Sequence, residues 1–98
     1  MKVLPSTARP YKQTPVFDET TVPVGLLNSH STKEGVWAKV IVIEGELTYR
    51  ILDPIVEEVI LTPECFGVVE PTVKHEIVPT QRVRFYVEFF RVWNEPAT

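Results

Sequence analysis

The sequence predicts an all-β fold, and three observations carry that prediction. Nine prolines punctuate the 98 residues, and no interval between them shows helical periodicity. Proline interrupts helices, and in sheets it is confined to edges, turns and bulges. Runs rich in β-branched residues recur between these breaks, as in Val36–Ile43 and Val56–Leu61. A glycine, Gly45, stands between two such runs, where a tight turn needs positive φ.

Taken in order, residues 1–15 read as an extended or irregular N-terminal arm. Residues 20–27, around Pro23 and Gly25, read as a turn or a single helical turn. Val36–Ile43 and Leu47–Leu52 read as a hairpin across Glu44-Gly45-Glu46. Val56–Leu61, Phe66–Glu70, Val73–Val78 and a long aromatic strand, Val83–Val92, follow, and Asn94–Thr98 reads as a frayed tail. Alternation puts Val36, Ala38, Val40 and Val42 on one face of their strand and Trp37, Lys39, Ile41 and Ile43 on the other. In the last strand, Val83, Phe85, Val87 and Phe89 form the core face. The row Arg84, Tyr86 and Glu88 either lines a polar cavity or forms an outer face held by cross-strand pairs. Six or more short strands indicate a sandwich, a jelly roll or a small barrel.

Composition limits the function classes. A chain of 98 residues is expected to form one domain, residues 1–98. A net charge of −3 with interspersed signs, and no basic block, argues against nucleic-acid binding. No apolar run is long enough for a membrane span, and the first residues lack the apolar core of a secretory signal. A cytoplasmic location is the resulting expectation. Cys65 is the only cysteine, which excludes an internal disulfide and a cysteine-based zinc motif. It reads as a half-buried structural residue at a turn entering a strand.

The chemistry concentrates on the only two histidines, His30 and His75. They lie far apart in sequence, at the margins of strand-like segments, so only a barrel or sandwich brings them together. Should they meet, a metal site is the chemical reading, because neutral imidazole is a common metal ligand. The plain alternative is a loop histidine capping a turn and a hydrogen-bonded histidine at a strand end.

The layout then resembles that of a known fold family. Val42-Ile43-Glu44-Gly45-Glu46-Leu47 is similar to the end of the first cupin motif. Glu70-Pro71-Thr72-Val73-Lys74-His75 is similar to the second. Three longer phrases, Tyr11–Phe17, His30–Lys39 and Val69–Glu76, look like the YeaR/TehB-like family of small cupins. That family resembles the domain N-terminal to the methyltransferase in some tellurite-resistance proteins. The resemblance runs from about Arg9 to Arg91 and implies a cupin-like jelly-roll barrel, a homodimer, and a role in stress response or detoxification.

The resemblance also implies a ligand set, which this chain holds only in part. Thr32 stands at the second histidine position, and Ala38 or Lys39 at the usual glutamate. His30 and His75 are the remaining ligands. Glu70 is the first candidate to complete a site for zinc, iron or manganese, followed by Glu76 and Glu88. Gln13, Thr32 and Glu88 are candidate ligand-binding residues. The functional expectation is a cupin binding a divalent metal or small molecule. The alternatives are a metal-dependent oxygenase or isomerase, and a metal-free sensor or interaction module.

Overall fold

A computed structural model describes residues 1–92. Trp93, expected as a packing or interface aromatic, and the tail 94–98 lie outside the described residues. Eight strands and one short helix follow in the order β1 (Ala8–Gln13), β2 (Phe17–Asp18), α1 (Val24–Leu27), β3 (Val36–Gly45), β4 (Leu47–Ile51), β5 (Glu57–Leu61), β6 (Gly67–Val69), β7 (His75–Val78) and β8 (Val83–Val92). The protein is all-β apart from α1. Among the described residues no helix is long and apolar enough to cross a membrane.

The strands form two separate antiparallel sheets. One has five strands, in the order β1-β8-β3-β6 with β2 also beside β8; the other has three, β5-β4-β7. The cupin-like jelly-roll barrel expected from the sequence is not confirmed: the sheets are open. β8 and β3 are the inner strands of the first sheet, and their alternation shows why. Val83, Phe85 and Val87 of β8, and Ala38, Val40 and Val42 of β3, are all buried on one face. Leu47, Tyr49, Leu61 and Ile77 of the second sheet meet them, so the core lies between the sheets. Phe89, expected in the core, is only partly buried and packs against this cluster. Phe90 on the opposite face is buried instead, with the Lys39 ammonium 5.4 Å from its ring centre.

The expected hairpin between β3 and β4 is absent. β3 pairs with β8 and β6, whereas β4 pairs with β5 and β7, so Glu44-Gly45-Glu46 carries the chain from one sheet to the other. Gly45 does have positive φ, 85°, but its role is close approach. It stands opposite Val83 in the β3–β8 ladder, and a Cβ there would collide with the Arg82 carbonyl oxygen.

The N-terminal arm is also more ordered than expected. β1 pairs along β8 from Ala8↔Val92 to Gln13↔Glu88. Pro10, which has no N–H to give, is tolerated because β1 is an edge strand. The turn around Pro23 is α1, which has no side-chain cap and places Leu26 against the core. Cys65 is exposed rather than half-buried, and it closes a tight turn by paired backbone bonds with Thr62 of 3.1 and 2.9 Å.

Candidate functional site

Two loops meet at one end of the core. The chain leaving α1 passes through His30 toward β3, and the chain after β6 passes through Thr72 into β7. Three backbone bonds join them: His30 N–H to His75 O at 3.0 Å, His75 N–H to His30 O at 2.9 Å, and Thr72 N–H to Thr32 O at 3.0 Å. Thr72 holds φ at 65°, in the left-handed region that costs a non-glycine residue about 1 kcal/mol or more. The two histidines thus meet, with ring centres 4.0 Å apart and planes at 63°. Tyr49 stands edge-on to His75 at 5.8 Å, with its hydroxyl donating to Val68 O.

Each ring is oriented by its own chain. His30 Nδ1 lies 2.9 Å from Asn28 O, and His75 Nδ1 lies 3.0 Å from Val73 O. A carbonyl only accepts, so Nδ1 carries the proton and, in a neutral ring, Nε2 keeps the lone pair. His75 is 3% exposed, the one buried polar side chain among the described residues. Burial pushes its pKa down to about 4; the Val73 carbonyl opposes this, and the neighbouring His30 adds to it. His75 is therefore a neutral imidazole at physiological pH.

The pair forms one wall of a cavity of about 400 Å³, open on one side. Its floor is apolar, with Ala38, Val40, Val69, Ile77 and Val87 from both sheets. Its rim is cationic: Lys12, Lys33 and Arg91 line it, and among the described residues no aspartate or glutamate does. None of the three forms an ion pair with a carboxylate among the described residues. The Arg91 guanidinium instead lies 4.5 Å from the centre of the Tyr11 ring, and the Lys12 ammonium 6.0 Å from that of Phe89. Such contacts hold a cation without neutralising it. The β1–β8 register shifts between Pro10 and Lys12. A bulge of this kind breaks strict alternation, and Tyr11 and Lys12, neighbours in sequence, both line the cavity.

Of the residues predicted from sequence, His30, His75 and Thr32 line this cavity. Thr32 donates its hydroxyl to Val36 O at 2.7 Å. The others stand elsewhere. Glu70 pairs with Lys2 at 3.4 Å and lines a different hollow, beside Met1 and Tyr49. Glu76 binds Arg50 at 2.6 Å on the outer face of the second sheet. Glu88 falls between the cavity-lining Val87 and Phe89, on the opposite face of β8, and Gln13 is its partner on β1. The row containing Arg84 and Glu88 is thus an outer face, with Arg84 3.7 Å from Glu44. Sequence reasoning missed Tyr11, Lys12, Lys33 and Arg91. Tyr11, Lys12 and Lys33 lay in phrases already singled out for family resemblance, and no local signal announced the bulge.

The divalent-metal expectation does not survive this arrangement. Among the described residues, no three histidine, cysteine, aspartate or glutamate side chains are grouped to hold a metal ion. Two imidazoles remain, beside three cations that repel a dication. Zinc, iron or manganese held by His30, His75 and Glu70 would need Glu70 on the other side of the Thr72 turn.

The geometry defines an all-β domain of two open sheets with a histidine-walled, cation-rimmed cavity between them. The chain belongs to the TehB-like domain family, whose model matches residues 12–87. It is 35% identical over 71 residues to the probable S-adenosyl-L-methionine-dependent methyltransferase TehB in two strains of Haemophilus influenzae. That match takes in 68% of this chain and 25% of the relative, so the chain spans about a quarter of the length of the curated relatives it matches. The crystal structure of TehB from Haemophilus influenzae superposes with a TM-score of 0.82 at 28% identity, over 89% of this chain and 32% of that one. A crystal structure of a protein from E. coli shares the fold, with a TM-score of 0.85 at 21% identity, over 96% of this chain and 100% of that one. These relatives overturn the expected role of a metal-binding cupin: the curated ones are named as probable S-adenosyl-L-methionine-dependent methyltransferases.

Proposed function

We propose that this chain is the acceptor-binding domain of an S-adenosylmethionine-dependent methyl-transfer system, with its cavity receiving a small anionic methyl acceptor. The observation that carries this is the cavity rim, where Lys12, Lys33 and Arg91 meet two imidazoles and, among the described residues, no carboxylate. Unneutralised cations around a partly enclosed, low-dielectric site favour an anion. The Nε2 lone pairs of His30 and His75 add acceptors for an acidic hydrogen on that molecule.

S-adenosylmethionine itself does not fit here. It carries positive charge at its sulfonium and ammonium groups, and its ribose hydroxyls are commonly held by an acidic side chain. Among the described residues the cavity offers three cations and no acid. The chain's four glycines, Gly25, Gly35, Gly45 and Gly67, are also too scattered to form a glycine-rich nucleotide loop. The methyl donor belongs to the remainder of the system, and this domain contributes binding and orientation.

The homodimer expected from the sequence is part of the same proposal. The outer face of β3 supports it, since Trp37, Ile41 and the 40% exposed Ile43 lie there away from the core, interrupted only by Lys39.

The test is a chimaera of full-length Haemophilus influenzae TehB in which the matching region is replaced by this chain. Release of S-adenosylhomocysteine is measured across a panel of small anionic acceptors. Lys12→Gln with Arg91→Gln is expected to raise the acceptor KM and leave kcat near its starting value. A fully active chimaera indifferent to both substitutions refutes the proposal.

A further inference from the structure

We infer that the molecule this cavity takes is an amphipathic monocarboxylate, a compact apolar body carrying one carboxylate, and not a bare inorganic oxyanion. This deepens the acceptor reading and rests on it for the role, but not for the chemistry of binding. Two parts of the cavity carry the inference together. The floor is hydrocarbon from both sheets, Ala38, Val40, Val69, Ile77 and Val87, with Phe89 on the way to the rim. A fully hydrated inorganic anion seated there would lose water and gain no partner, at a cost of several kcal/mol. A phenyl or short branched alkyl group instead covers surface that is already apolar, and its burial is favourable. The rim supplies the opposite chemistry. Arg91 is held by Tyr11 at 4.5 Å and Lys12 lies 6.0 Å from Phe89, so both cations sit beside aromatic rings at the mouth. A guanidinium pairs with a carboxylate by two parallel bonds, and among the described residues no carboxylate pairs with Arg91.

Size agrees with this class. About 400 Å³ lies at the small end of the range for ligand sites and suits a molecule about the size of benzoate with some of its hydration. The buried His75 stays neutral, so it adds no positive charge to draw the anion to the floor. Charge is thus confined to the mouth and the apolar surface to the base. That polarity orders the ligand: hydrocarbon first, carboxylate last.

The probes are benzoate, its neutral isostere benzamide, and inorganic phosphate, each titrated into the full chain at pH 7 and followed by calorimetry and by the amide and imidazole resonances. Benzoate is expected to saturate at one site and to shift His30, His75 and Ala38. Benzamide and phosphate are each expected to bind at least about tenfold more weakly, the worth of one charge-assisted contact. Lys12→Gln with Arg91→Gln, on a partly exposed rim where folding is preserved, is expected to weaken benzoate about tenfold and leave benzamide unchanged. Benzamide equal to benzoate, phosphate tighter than benzoate, or no saturable binding of benzoate overturns the inference. Phosphate binding alone would remove the monocarboxylate while leaving the anionic-acceptor reading. Benzoate binding in a chimaera whose turnover ignores the rim would do the reverse.

Discussion

His30 and His75 are joined twice, by a reciprocal pair of backbone bonds at 3.0 and 2.9 Å and by rings whose centres lie 4.0 Å apart. The backbone pairing sets the ring separation, so the imidazole wall of the cavity is a product of strand geometry and needs no bound ion to assemble it.

Stability should fall with acid through His75. Its folded pKa is about 4 against 6.5 for the free side chain. Above pH 6.5 both states are neutral and the full stability is present. As pH falls below 6.5 the unfolded chain takes up a proton that the folded chain refuses, so stability is lost down to about pH 4 and no further from this group. The loss is at most about 3 kcal/mol. Urea unfolding of wild type and His75→Asn at pH 4 and pH 7 checks it. The wild type should lose more between the two pH values, and equal losses would refute the assignment.

The two left-handed glycines should differ in what they tolerate. Gly45 has φ of 85° and no room for a Cβ beside the Arg82 carbonyl, whereas Gly35 has φ of 78° and open space around it. Gly35→Ala bears only the backbone strain, about 1 kcal/mol. Gly45→Ala adds a backbone collision at the crossing between sheets and should cost about 3 kcal/mol or more. Thermal unfolding of the two variants ranks them, and a reversed order would show that Gly45 is a simple turn residue.

Tyr49→Phe should cost about 1–2 kcal/mol. The ring is fully buried and stays in place, but the hydroxyl that donates to Val68 O at 3.0 Å is lost. Burial pushes the Tyr49 pKa far up, with Glu57 and Glu70 adding to it. The phenol should therefore stay un-ionised in ultraviolet titration until the protein unfolds in alkali, and ionisation with the exposed tyrosines would contradict this.

The proposed homodimer should depend on the outer face of β3. Ile43→Glu places a charge beside Glu44 on that face and is expected to convert the dimer to monomer in size-exclusion chromatography with light scattering. A wild-type chain that runs as a monomer at every concentration would remove the dimer from the proposal.

The sequence was most legible where periodicity is local. Val83–Val92 matches β8 residue for residue, and the inward row Ala38, Val40 and Val42 lies where alternation puts it. It was least legible in partner choice. Nothing in Glu44-Gly45-Glu46 distinguishes a hairpin from a crossing, because the strand that β3 pairs with instead, β8, is far along the chain. The same limit governed the site. His30 and His75 could be singled out by chemistry, but the acids nearest in sequence, Glu70 and Glu76, face away once the Thr72 turn and the β7 pleat are in place. Of the cations that line the cavity, Arg91 follows the alternation of Val87 and Phe89, whereas Lys12 depends on an irregularity in one edge strand that has no sequence signature.

β8 is an inner strand of the larger sheet and, among the described strands, the last in the chain. During synthesis β1, β2 and β3 emerge early and wait for a partner that has not yet been made. The hairpin of β4 with β5 is the one substantial ladder between successive strands, so the smaller sheet can start to form first. The larger one, and with it both walls of the cavity, closes only after Val92 has left the ribosome. Until then β3 has only the short β6 as a partner, and this interval is when the chain is most exposed to pairing with the wrong neighbour.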